Sequence, residues 1–294
     1  MAAGSLRFYC YHAAAAVDQL SRASSSVILK SPFALNRGYG STVSACVKQL
    51  RSTDLVALEY SELNLSEKSS GELGCIRIRQ HVNPLSSSFS VPAETPDWKE
   101  VYRDPTRPLM VDIGSGSGRF LIWLAKRNPD SGNYLGIEIR QKLVKRADFW
   151  IKEMALGNIH FLFANATVSF RQLILSYPGP LMLVSILCPD PYFKKRHHKR
   201  RVLRKPLVDS IVNNLVPGGK VFVQSDVLEV AMDMRNQLDA ESDLLQHVNE
   251  IDPSVLCDSN GWLTSNPMGI RTEREIHAES EGAKIYRRLY QKQM

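Results

Sequence analysis

From Leu109 onward the chain alternates between short apolar runs and longer amphipathic ones. LMVDI, NYLGIEI, IHFLFA, LMLVSIL and KVFVQS are each followed by a stretch of helical periodicity: GRFLIWLAKRN, RQKLVKRADFWIKEMAL, VSFRQLILSY, KPLVDSIVNNL and LEVAMDMRNQL. The apolar runs are nearly continuous and lack the alternation of a half-solvated strand. Such strands must be covered on both faces, and helices between consecutive strands make them parallel. The pattern therefore predicts an α/β fold over residues 108–294, a mostly parallel sheet with helices on both faces. The late KIYRRLYQ alternates as a strand and is expected to close the sheet. Residues 54–107 mix strand-like pieces, LVALEY and CIRIRQ, with a Ser- and Pro-rich linker, NPLSSSFSVP, and are expected to form an N-terminal extension.

Charge is unevenly placed. The chain carries 37 Lys and Arg against 30 Asp and Glu, a formal +7. Residues 1–53 hold six basic residues and one acid, Asp18, which leaves 31 basic against 29 acidic in the remainder. Six of those 31 lie in one run, KKRHHKRR, from Lys194 to Arg201. Positive charge concentrated in this way attracts a polyanion locally. Residues 1–53 are rich in Ala and Ser and nearly free of acids, the composition of a transit peptide. Delivery to the plastid stroma is expected, with the mitochondrion as the alternative. No apolar run approaches the ~18 residues of a membrane span, so no membrane partner is expected. Five cysteines without a CxxC pair argue against a disulfide framework and against a zinc site, and no metal is expected.

In a parallel sheet of this kind, ligands bind beyond the C-terminal strand ends. The residues there are Asp112–Gly118, Glu138–Arg140, Asn165–Ala166, Cys188–Phe193 and Ser225–Asp226. VDIGSGSG spaces its glycines as G-x-G-x-G behind an acid, not as the dinucleotide fingerprint G-x-G-x-x-G. An acid there repels a pyrophosphate but suits a cation, such as the amino group and sulfonium of S-adenosylmethionine. Glu138, ending the second apolar run, can accept both hydroxyls of a ribose. Together they point to a Rossmann-like class I S-adenosylmethionine-dependent methyltransferase.

The motifs VDIGSGSGRFL, NYLGIEIR, ANA, PDPYFKKRHHKRR, SD and RTERE…IYR, with IRIRQHVNPL upstream, stand in the order found in the tRNA (guanine-N7)-methyltransferases. Over residues 76–294 the chain resembles the bacterial and organellar branch of that family. The resemblance implies methyl transfer from S-adenosylmethionine to N7 of a variable-loop guanosine in tRNA, with no obligatory protein subunit. It implies that Asp112, Gly114, Gly116, Glu138, Arg140, Asn165, Ala166 and Leu187 line the cofactor site and that Asp190 sits at the reaction centre. It also implies that Lys194, Asp226, Thr272 and Glu275 contact the guanosine or its RNA. The chain departs from the family's usual residues at Tyr192, Cys188, Asn165 and Arg274, and Arg274 bears on the shape of the base pocket. Methylation of another RNA or of a small molecule, and an idle RNA-binding relative, are the competing readings. The basic run speaks against the small molecule; intact Asp112, Glu138, Asp190 and Asp226 speak against idleness.

Guanine N7 carries an exposed lone pair and needs no general base before attacking a sulfonium methyl. Rate must then come from alignment and from exclusion of water. Carboxylates near the base would stabilise the positive charge it acquires, and Asp190, Asp226 and Glu275 are candidates. The basic run behind Asp190 can be a solvated loop, a nuclear import signal or a phosphate grip. Its place between a strand and a helix favours the grip, with Lys195, Arg196, Lys199, Arg200 and Arg201 on RNA phosphates.

Overall fold

A computed structural model describes residues 50–65, 82–252 and 255–294. Seven strands form one sheet in the order β3-β2-β1-β4-β5-β9-β6. β1 (Leu109–Ile113), β2 (Asn133–Glu138), β3 (Ile159–Phe163), β4 (Leu181–Leu187) and β5 (Leu215–Ser225) run parallel. β9 (Tyr286–Lys292) lies antiparallel between β5 and β6 (Leu245–His247). β7 (Glu250–Asp252) and β8 (Val255–Leu256) make a separate ribbon.

The apolar runs are buried on both faces, as their patterning demands. In β1, Leu109, Val111 and Ile113 enter one core and Met110 the other. The first core is completed by α5 (Ala166–Ser176), α6 (Lys205–Asn214) and α7 (Leu228–Asp239), through side chains such as Phe170, Val208 and Met234. The second is built by α3 (Arg119–Arg127) and α4 (Gln141–Glu153), through Leu121, Trp123, Ala147 and Trp150. Each fully buried large aliphatic or aromatic side chain contributes about 1.5–3 kcal/mol. α3 starts at Gly118, where φ is 85° and an added Cβ would lie 2.8 Å from the Phe161 ring and 2.9 Å from Ala147. That glycine serves packing and backbone conformation. At Gly114 (φ 81°) a Cβ would meet nothing within 4 Å, so space is open above it.

Three expectations are corrected or refined. LVALEY is not a strand: α1 (Ser52–Glu59) covers it, because Asp54 at the third helical position reaches back to the backbone N–H of Arg51 at 3.2 Å. A boundary at residue 53 therefore falls inside a helix, and Val56, Tyr60 and Leu63 belong to the second core. The N-terminal extension 54–107 also contributes to the first core. The short α2 (Trp98–Val101) brings Trp98 to stack on Tyr102 at 5.8 Å, with Tyr177 edge-on to both. Pro217–Gly219 lies within β5, opposite a register shift in β4. CIRIRQ lies outside the described residues. Among the described residues no helix is long and apolar enough to cross a membrane.

Candidate active site

The C-terminal ends of β1, β2, β3 and β4 open onto two cavities, of about 140 and 440 Å³, whose walls share Gly114, Arg140, Leu187 and Cys188. The smaller takes in Glu138, Asn165, Ala166, Asp190 and Tyr192; the larger takes in Asp112, Gly116, Thr272 and Arg274. Eight of the residues expected at the cofactor, and Asp190, are thus brought together.

Asp112 is buried, and its Oδ1 accepts a hydrogen bond from Ser185 Oγ at 2.6 Å. Burial pushes this carboxyl up to about 7, with Glu138 adding to the rise and Ser185 opposing it. Glu138 is buried and fully engaged by its own neighbours. It accepts from the Gly116 N–H at 2.9 Å, from the Arg140 N–H and Nε at 2.9 Å, and from Arg140 Nη2 at 3.1 Å.

Asn165 caps α5, its Oδ1 accepting from the Thr167 N–H at 3.2 Å and from Thr167 Oγ1 at 2.8 Å. Its Nδ2 donates to Pro84 O and Phe89 O, at 3.1 and 3.2 Å. Tyr192 Oη donates to Val82 O at 2.8 Å. A strap, residues 82–89, is thereby tied across the smaller cavity, where Val82 and Pro84 form wall. The composition of NPLSSSFSVP gives no sign of these contacts.

Asp190 sits in a turn bracketed by two non-glycine residues in the left-handed region, Cys188 (φ 49°) and Tyr192 (φ 46°). Each such residue costs on the order of 1–3 kcal/mol and is kept only where its surroundings hold it. The Cys188 N–H donates to Gln224 O at 2.7 Å, tying the turn to β5. Burial pushes the Cys188 thiol up to about 12, so it is no nucleophile.

The basic run divides in two. Lys194, Lys195, Arg196 and Lys199 are exposed. Arg201, expected on phosphate, is instead buried. It donates to Pro191 O at 3.0 Å, Asp233 Oδ2 at 3.2 Å and Glu229 Oε1 at 2.6 Å, pinning the Asp190 turn to α7. Arg200 also departs from expectation: it forms wall of the smaller cavity, and its Nε is buried without a hydrogen-bond partner.

On the far side stands α8 (Glu273–Ser280), capped by Thr272. Thr272 Oγ1 accepts from the Glu275 N–H at 3.1 Å, and Glu275 Oε2 accepts from the Thr272 N–H at 3.2 Å. Glu275, expected on the guanosine, is fully buried and lines neither cavity. It accepts from Gln224 Nε2 at 3.1 Å, Asn266 Nδ2 at 2.9 Å and Arg287 Nη2. Asp226 accepts from Arg274 Nε at 3.1 Å and Nη2 at 2.5 Å, so Arg274 covers the carboxylate expected to meet the base. Among the described residues no three His, Cys, Asp or Glu side chains cluster as a metal site.

Strand-end carboxylates around a glycine turn, on a mostly parallel sheet, define the class: a class I methyltransferase. A family model described as "Putative methyltransferase" matches residues 106–288. A tRNA (guanine-N(7)-)-methyltransferase of Synechococcus sp. (strain JA-2-3B'a(2-13)) is 49% identical over 72% of this chain and 82% of its own length. The enzyme of that name from Synechocystis sp. (strain ATCC 27184 / PCC 6803 / Kazusa) is 45% identical over 74% of this chain and 98% of its own. Among solved structures, an rRNA methylase from Streptococcus thermophilus superposes with a TM-score of 0.39 at 11% identity, over 66% of this chain and 91% of that one. The chain belongs to the tRNA (guanine-N7)-methyltransferase family.

Proposed function

We propose that this protein transfers the methyl group of S-adenosylmethionine to N7 of a guanosine in the variable loop of tRNA, forming 7-methylguanosine. The observation that carries the reading is the meeting of the two cavities beside the Asp190 turn, in a chain 49% identical to a tRNA (guanine-N(7)-)-methyltransferase.

The residues present fit the cofactor. Buried carboxylates stand at two adjacent strand ends, space is open above Gly114, and Ser115 Oγ is buried in the larger cavity's wall without a hydrogen-bond partner. When bound, S-adenosylmethionine supplies an electrophilic methyl on a sulfonium sulfur. Asp112 presents negative charge to the cationic end of such a ligand. Glu138 accepts ribose hydroxyls in exchange for Arg140. Leu187 and Ala166 supply apolar wall and exclude water. On the nucleotide side the guanine N7 lone pair needs no base. Asp190 lies where charge develops on the purine and stabilises it. Thr272, with Asp226 once Arg274 swings aside, is placed for the base edge. Lys194, Lys195, Arg196 and Lys199 meet RNA phosphates.

The test is incubation of the chain from Leu50 with labelled S-adenosylmethionine and bulk tRNA, followed by nucleoside analysis. Label in 7-methylguanosine is expected; label in another nucleoside, or none, refutes the reading. The acid-poor, Ser- and Ala-rich residues 1–49 support delivery to the plastid stroma. A fluorescent protein carrying them should enter plastids. Activity is expected of this chain without a second protein subunit.

A further inference from the structure

Three arginines line the larger cavity and a fourth, Arg119, pairs with Glu273 of its wall; three of the four are matched. Arg119 pairs with Glu273, Arg140 with Glu138 and Arg274 with Asp226. Arg146, on α4, forms part of the cavity wall and has no carboxylate partner among the described residues. Its Nε is buried without a hydrogen-bond partner. It is held by stacking: its guanidinium carbon lies 4.9 Å from the centre of the Trp150 ring, and that of Arg119 lies 4.8 Å from the same centre. Two cations on one ring, with a third arginine nearby, make a field that opposes further positive charge. Burial first, then Arg119 and Arg140, push the Arg146 guanidinium below its ordinary value, with Glu273 partly offsetting them. The one other carboxylate of the cavity, Asp112, is pushed up to about 7 by burial, which weakens its charge at neutral pH. The cavity wall at Arg146 is therefore a cationic spot presenting an unsatisfied planar donor.

We propose that Arg146, held on Trp150 beside Arg119, binds a phosphate of the RNA strand next to the target nucleotide. A guanidinium held over an aromatic ring is restrained in place and keeps N–H donors for a phosphate. The ligand is a phosphodiester and not the cofactor's carboxylate, for a reason of reach. The amino acid end of S-adenosylmethionine carries ammonium and carboxylate on one carbon, so Asp112 and the glycine turn take both. Arg146 stands with Arg119 and Glu273, on the α8 side, next to Thr272 and Arg274. RNA would then be gripped on both sides of Asp190, by the exposed lysines behind it and by Arg146 across the shared wall. The inference rests on the reading of the substrate as tRNA.

The experiment measures binding of a tRNA transcript by the chain from Leu50 at several salt concentrations between about 50 and 200 mM. S-adenosylhomocysteine binding is measured alongside, by calorimetry. Arg146→Met, which keeps the stem on Trp150, should weaken tRNA binding roughly ten- to hundredfold, as for one lost charge-assisted hydrogen bond. It should also lower the log–log salt slope by about 0.7 to 0.9. S-adenosylhomocysteine affinity should stay unchanged. Arg146→Lys should keep the slope. An unchanged slope in Arg146→Met overturns the proposal. A loss of S-adenosylhomocysteine affinity with tRNA binding intact overturns it too, by making Arg146 a cofactor contact. Should Arg146→Met not fold, as judged by circular dichroism, Glu273→Gln decides. Removing that neighbouring carboxylate should tighten tRNA binding, and unchanged affinity refutes the site. If the wild-type chain binds tRNA yet leaves no 7-methylguanosine, the function fails and not the phosphate site.

Discussion

Asp112 is a carboxyl placed where ionisation is costly, with one hydroxyl donor and no cation beside it. Its folded value near 7 lies above the unfolded 3.8. Across that interval the folded chain binds more protons than the unfolded one, so the ligand-free protein loses stability as pH rises from 3.8 through about 7. A cationic ligand reverses the preference, because it favours the ionised form. Cofactor affinity should therefore rise about tenfold between pH 6 and pH 8, and Asp112→Asn should flatten both trends. Calorimetry and thermal melting across that range check it; a wild-type affinity independent of pH would refute the assignment. Residues such as Asp112, Glu138 and Asp190 were legible in the sequence because each lies within three residues of the end of an apolar run, and strand ends are where such sheets bind. Arg201 and Glu275 were not. A charge inside a motif looks the same whether it meets solvent or another element. The partners of Arg201 lie 28 and 32 residues further on, and Glu275 meets Gln224 and Arg287 from two different strands.

Elements show the same division. The five parallel strands and their helices follow from periodicity, since both faces of each apolar run had to be covered. α1 was misread because four apolar residues in six suggested a strand, whereas tertiary packing of Val56 and Tyr60 kept a helix. The strap at 82–89 gave no signal at all: its ties run through backbone carbonyls, and any residue has a carbonyl. It nonetheless carries a sharp prediction. Asn165 holds it by donating to two carbonyls, which a carboxylate cannot do. Asn165→Asp should loosen the strap, speed proteolysis within residues 82–93, and weaken cofactor binding by roughly tenfold. Tyr192→Phe, losing one neutral hydrogen bond, should act in the same direction by roughly threefold. Unaltered cleavage and affinity in Asn165→Asp would count against a roof over the cofactor.

At the scale of the whole molecule, the sheet is closed by its latest strand. β9 inserts between β5 and β6, and Arg287 on β9 meets Gln224 Oε1 of β5 at 3.2 Å and Glu275 of α8. This buried group couples the substrate-side helix to the cofactor-side sheet. Glu275→Gln should lower unfolding stability by about 1.5–3 kcal/mol, the loss of a charge-assisted hydrogen bond from a buried arginine that keeps Glu279 at 3.2 Å. Glu275→Gln combined with Arg287→Met should recover part of that loss. Denaturant unfolding checks both. A variant that melts normally yet loses turnover would return Glu275 to the base pocket. The closure also has a consequence for biosynthesis. A ribosome delivers the chain from its N-terminus, so β1 to β5 emerge while the outer edge of β5 has nothing to pair with. Until residues 286–292 follow, a nascent chain displays that edge bare. Chaperone dependence should therefore peak between the emergence of β5 and that of β9, and chains stalled just short of β9 should be the ones that aggregate.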